Sequence, residues 1–136
     1  MDPALLKDVE LFGSLTDDER AAIAQWLEVE EFPAGKAIVR DDEAGYVFFI
    51  LNEGQVHAEH DGKVLEVLTP GAVFGEMAMF APDGHRSASV VTDTPVRVFS
   101  MFGTRFRQMQ VALPAVSARL EELVHERAAR RQAADS

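Results

Sequence analysis

Phe74-Gly75-Glu76-Met77-Ala78-Met79, followed ten residues after the glutamate by Arg86-Ser87-Ala88-Ser89-Val90, is the stretch that decides how this chain is read. Gly71 and Gly75 carry no side chain, so backbone can come close to a ligand there. A short helix is predicted over residues 76–80. Its first N–H groups have no partner inside the helix and would face an anion. Arg86 supplies a fixed cation that grips phosphate oxygens two at a time. Ser87 adds a hydroxyl and an N–H, and Ala88 is small enough to let its strand sit close. Glu76 suits an anion pocket only when the ligand also offers a hydroxyl, as a ribose does. The stretch therefore asks for a phosphate and a sugar hydroxyl side by side.

Both halves of the stretch resemble the phosphate-binding cassette of the cyclic nucleotide-binding domain. That pattern runs Phe-Gly-Glu-(aliphatic)-Ala, a loop, then Arg-(Ser/Thr/Ala)-Ala-(Ser/Thr)-Val, and every position is filled here. The step from Glu76 to Arg86 is similar to the bacterial catabolite-activator branch, not to the slightly shorter loop of kinase regulatory subunits. The resemblance implies that Glu76 accepts from the ribose 2′-hydroxyl and that Arg86 pairs with the cyclic phosphate. Amides near Ala78 and Ser87 would complete the shell. The candidate ligand-binding residues are Phe74, Gly75, Glu76, Met77, Ala78, Arg86, Ser87 and Ala88. A threonine after the cassette arginine favours the guanine nucleotide in the family, so Ser87 leans the expectation toward cAMP over cGMP. The resemblance also implies a C-terminal helix that covers the nucleotide, forms a homodimer seam, or both. Its lid candidates are Leu120, Leu123 and Val124.

Working outward, residues 2–10 read as a short helix or turn. Thr16 and Glu19 form a capping-box start for a helix carrying Ile23, Trp26 and Leu27 on one face. Leu11-Phe12, Leu15, that helix, and Phe32-Pro33-Ala34-Gly35 also resemble the family's lead-in, so the likeness covers most of the chain. From residue 28 the period turns to β. Strands are predicted over 36–40, 46–51, 55–60, 63–68, 87–91 and 96–101, with Asn52-Glu53-Gly54 and the two-residue Asp61-Gly62 as turns. Residues 41–45 form an acidic loop without the alternating spacing of a calcium site. Helices are expected over 103–110, with Phe106 and Met109 inward, and from Pro114 to about residue 131. Arg127, Arg130 and Arg131 would complement the dipole at the end of that last helix.

The expected fold is α+β: an antiparallel β-roll, a jelly-roll-like small barrel, flanked by N-terminal and C-terminal helices and carrying a short cassette helix. The expected organisation is one domain over 1–136, with a helical lead-in (2–28), a roll with cassette (29–102) and C-terminal helices (103–132).

Composition sets further bounds. Of 136 residues 47% are hydrophobic, enough for a core, and the formal net charge of −10 argues against nucleic acid or an anionic membrane as partner. The chain has no cysteine, which removes disulfides, thiolate metal sites and cysteine nucleophiles and fits a cytoplasmic setting. No apolar run reaches the length of a membrane span. No helix-turn-helix or catalytic segment is expected, so the chain reads as a binding domain without an output domain, acting on a protein effector. A cupin-type metal enzyme would need His57, His60 and Glu66 to converge. Residues three apart on a strand face opposite ways, so no metal, cofactor or enzymatic activity is expected. The alternative reading is a degenerate member of the same fold, kept as a protein interaction module without nucleotide.

Overall fold

The computed structural model describes residues 1–9, 12–39, 47–75 and 88–135, the side chains of residues 124 and 127–135 excepted. A single 3-10 turn, Pro3–Leu6, opens the chain. Asp2 caps it by accepting from the Ala4 N–H. Helix α1 (Asp17–Ala24) follows with the expected capping box. Thr16 Oγ1 accepts from the Glu19 N–H at 3.1 Å, and the Glu19 carboxylate accepts from the Thr16 N–H at 2.8 Å. Arg20 is buried and donates to the Phe12 and Leu15 carbonyls, which fixes the loop ahead of the helix.

The described residues then form eight strands: β1 (Glu28–Phe32), β2 (Ala37–Val39), β3 (Val47–Glu53), β4 (Val56–His60), β5 (Lys63–Leu68), β6 (Val73–Phe74), β7 (Ser89–Thr92) and β8 (Val96–Phe102). They form two antiparallel sheets, ordered β1-β8-β3-β6 and β2-β7-β4-β5. Helices α2 (Gly103–Ala112) and α3 (Pro114–Asp135) close the chain. The architecture is the expected roll with flanking helices.

Strand alternation explains how one sheet serves two cores. Phe49 and Leu51 of β3 and Val96 and Val98 of β8 point between the sheets, where they meet Val39, Val56, Leu68, Phe74 and Val90. Phe48 and Ile50, with Phe99 and Met101, point the other way. They pack against Leu6, Val9, Phe12, Leu15 and Ile23 from the lead-in and against Phe106, Met109 and Leu120 from the last two helices. A sheet covered on both faces needs a nearly continuous apolar strand, and Val47-Phe48-Phe49-Ile50-Leu51 is one.

Several boundaries differ from the expectation. Helix α1 stops at Ala24, so Trp26 and Leu27 are not on its face. The Trp26 N–H donates to Ile23 O at 2.9 Å, tightening the last turn, and β1 begins at Glu28. Leu27 still reaches the same core from that turn. Asn52 and Glu53 belong to β3, not to a turn, because Glu53 pairs with Arg97 across a β-bulge. The return strand β7 is Ser89–Thr92, two residues later than expected at its start, and the last helix runs on to Asp135. The acidic loop 41–45 lies outside the described residues.

Candidate functional site

Of the sequence-predicted site residues on the roll, the structure describes Phe74, Gly75 and Ala88. Phe74 ends β6, is 5% exposed, and stacks on Phe49 of β3 with ring centroids 5.2 Å apart and planes 20° from parallel. Gly75 follows with φ 82°, a left-handed conformation that a side chain would strain. The chain thus turns sharply as it leaves the edge of the first sheet. It re-enters at Ala88, half-buried, directly before β7 in the interior of the second sheet. Residues 76–87 separate β6 from β7 in the sequence. Glu76, Met77, Ala78, Arg86 and Ser87, with the expected cassette helix over 76–80, lie outside the described residues.

The two flanking strands are held differently. β6 pairs with β3 through Val73 and Phe74, and just before it the Leu51 N–H donates to Ala72 O at 2.9 Å and the Gly71 N–H to Leu51 O at 2.8 Å. β7 pairs on both flanks, with β2 and with β4. Thr92, at the far end of β7, is buried; its hydroxyl donates to Pro33 O at 2.7 Å and accepts from the Lys36 N–H at 2.8 Å.

The lid candidates lie on α3. Leu120 is fully buried in the helical core, and Leu123 packs against the same core with Val116. The side chain of Val124 lies outside the described residues. Sequence reasoning missed two neighbours that seat this helix. Ser117 is 2% exposed and its hydroxyl donates back to the Leu113 and Pro114 carbonyls at 3.0 and 3.2 Å. Arg119 donates to Ser14 O at 3.1 Å and lies 3.7 Å from the Glu19 carboxylate. A buried serine breaks the apolar stripe without announcing itself, and an arginine off the stripe reads as solvated.

A polar cluster on the second sheet also went unread. His57 Nδ1 lies 2.6 Å from Asp93 and Nε2 lies 3.0 Å from Glu59. The bond to Asp93, reinforced by Glu59, holds the imidazole pKa above the ordinary histidine value. A hydrogen bond from Gln55, with His57 second, holds the Asp93 carboxyl below the ordinary range. His57 touches Glu59, two residues on, so strand alternation sends His60 to the opposite face. Trp26 is half-buried, packs against the helical core, and lies beneath the Arg105 guanidinium at 4.7 Å from its ring centroid. No helix among the described residues is long and apolar enough to cross a membrane.

Compared with known proteins, the profile of the cyclic nucleotide-binding domain matches residues 29–111, which take in β1, the whole roll and most of α2. The chain belongs to the cyclic nucleotide-binding domain family. Its curated relatives in that family include the cAMP-dependent protein kinase regulatory subunits of Colletotrichum orbiculare (34% identical over 106 residues) and Emericella nidulans (32% over 120 residues). These matches cover 76% and 87% of this chain but 27% and 29% of the relatives' length. Among solved cyclic nucleotide-binding structures, a Geobacter metallireducens protein described by that function superposes with a TM-score of 0.79 at 29% identity, covering 97% of this chain and 98% of its own. The regulatory domain of Toxoplasma gondii protein kinase A, solved with cAMP, gives a TM-score of 0.79 at 25% identity, covering 94% and 48%.

Proposed function

We propose that this cyclic nucleotide-binding domain, residues 1–136 acting as one unit, is a non-enzymatic receptor that takes cAMP in preference to cGMP and signals to a protein effector. The observation that carries the reading is the cassette pattern in the sequence: Phe74, Gly75, Glu76, Ala78, Arg86 and Ala88 stand at the family's spacing, within the stretch that the family profile matches. Arg86 takes the cyclic phosphate and Glu76 accepts from the ribose 2′-hydroxyl. Gly75, Met77, Ala78 and Ser87 bring backbone amides to the ligand. Support for cAMP comes from Ser87, from the kinase regulatory subunits among the relatives and from the cAMP-bound neighbour.

Output runs through α3 in this reading. Leu120 and Leu123 reach the purine only by giving up their seat on the helical core, and re-exposing one such side chain costs about 1.5–3 kcal/mol. The ligand shifts that balance only by binding the moved state more tightly. The decisive experiment is calorimetric titration with cAMP and with cGMP, the Arg86→Ala variant alongside. The parent is expected to bind cAMP more tightly, and the variant to lose about 2–4 kcal/mol of binding. A folded parent that takes up neither nucleotide would favour the interaction-module reading instead.

A further inference from the structure

Among the described residues the two sheets end in four edge strands: β1 and β6 on the first, β2 and β5 on the second. An edge offers its ladder groups to any other strand, and natural edges are blunted by being short or charged. β2 and β6 have three and two residues, and β1 carries Glu28, Glu30 and Glu31 among its five. β5 is longer and mostly apolar. It reads Lys63-Val64-Leu65-Glu66-Val67-Leu68, and Val64, Leu65 and Val67 are 54%, 56% and 53% exposed. No described strand pairs with its outer side.

A bulge in β5 sets which of its side chains share a face. Val67 and Val64 stand opposite His57 and Glu59 of β4. Glu66 and Lys63 stand opposite Ala58 and His60, and Leu65 is the extra residue between them. Partners two apart on β4 face the same way. Lys63 and Glu66 therefore share one face, and Val64 and Val67 share the other. A regular strand would send each of these pairs to opposite faces.

The bulge makes the strand self-complementary. When two copies pair about a twofold axis perpendicular to the sheet, their strands run antiparallel and opposed residues share a face. With the axis between Val64 and Leu65, Lys63 of each copy stands opposite Glu66 of the other. Val64 and Leu65 of both copies then lie between the two ion pairs. The Glu66 carboxylate is exposed and has acceptor sites for more than one donor. Sliding the register until Val64 opposes Val67 sets Lys63 against Leu68 and Glu66 against Leu65, so both ion pairs are lost. β1 holds no cation to play the part of Lys63.

We propose that β5 is a homodimer seam: two copies of this chain join β5 to β5, in the register that pairs Lys63 with Glu66, and their four-stranded sheets become one. This seam is separate from the C-terminal helix seam that the family resemblance implies, and it stands whether or not nucleotide binds. Two six-residue strands bury less than a standard interface, so the dimer is weak, with a Kd of about 10–100 μM.

The test is sedimentation velocity from about 5 to 500 μM protein, at about 0.15 M salt to screen the repulsion between two acidic copies. The parent is expected to pass from monomer to dimer across that range. Lys63→Glu and Glu66→Lys each set like charges opposite one another twice, and each is expected to weaken association about tenfold. The double variant sets opposite charges together again and is expected to associate more tightly than either single variant. Circular dichroism checks that each variant folds. Leu65→Asp, at an exposed position beside the axis, is a further variant expected to stay monomeric. A parent that is monomeric at the highest concentration overturns the proposal. A dimer indifferent to the swaps also overturns it and moves the seam to another surface, α3 first. A double variant no tighter than the singles overturns the register and the proposal with it.

Discussion

At Gly54 and Ser100 single atoms decide the outcome. Gly54 has φ 92°, and a Cβ there would stand 2.4 Å from Pro95 O, 2.7 Å from Val96 Cγ1 and 2.8 Å from Thr94 Oγ1. Both the conformation and the space exclude a side chain. Gly54→Ala is expected to cost about 2–3 kcal/mol, seen as a lower urea midpoint. Gly13, where a Cβ would meet no atom of the described residues within 4 Å, is the control; Gly13→Ala should stay within about 0.5 kcal/mol. Ser100 is the reverse case. It is fully buried in β8, and its hydroxyl has no hydrogen-bond partner among the described residues. Removing an orphaned polar group relieves its desolvation, so Ser100→Ala should raise stability by about 1 kcal/mol. A loss of stability would mean that the hydroxyl has a partner.

Helix α3 is the element on which the proposed output depends. Its first half is seated by Leu120 in the core and by Arg119 across to Ser14 and Glu19. If α3 leaves this seat when nucleotide binds, then weakening the seat favours binding. Arg119→Ala is accordingly expected to tighten cAMP affinity while costing less than about 1 kcal/mol of stability, since the Arg119 side chain is exposed and its 3.7 Å contact with Glu19 is long. Unchanged affinity would remove movement of α3 from the mechanism. How far such elements were legible in the sequence depended on how local their causes are. The start of α1 was legible because Thr16 and Glu19 satisfy each other within three residues. The β4–β5 hairpin was legible because Asp61-Gly62 fits its two-residue turn. The end of α1 was not, since helical spacing carries on through Trp26 and Leu27 while β1 claims the chain at Glu28. Glu53 was misread because its residue type suits a turn, and only its partner Arg97, far along the chain, makes it strand. Of the candidate site residues on the roll, Phe74 ends β6, Gly75 follows it and Ala88 precedes β7. The His57–Asp93 contact joins positions 36 residues apart with no periodicity to betray it.

For the whole molecule, the shifted groups predict stability bounded on both sides in pH. Asp93 and Glu19 have folded-state pKa values below the ordinary carboxylate range, Asp93 chiefly through Gln55 and Glu19 chiefly through the Thr16 N–H. Their contribution is complete above about pH 4.3 and is lost as pH falls through the folded values. His57 is shifted upward, so its contribution is complete below about pH 6.5 and is lost as pH rises through the folded value. The unfolding midpoint should therefore peak between about pH 5 and 6.5 and decline on either side. A midpoint still rising above pH 7 would contradict the assignment of His57. The pairing of β1 with β8, which sets Glu28 against Ser100, also governs the order in which the protein is made. The first sheet has no second strand for β1 until residue 102 has been synthesised, and closing so long a loop is slow compared with local folding. On the ribosome the second sheet, complete by Thr92, could therefore form first, and the first sheet would close only when β8 arrives to pair with β1 and β3 at once.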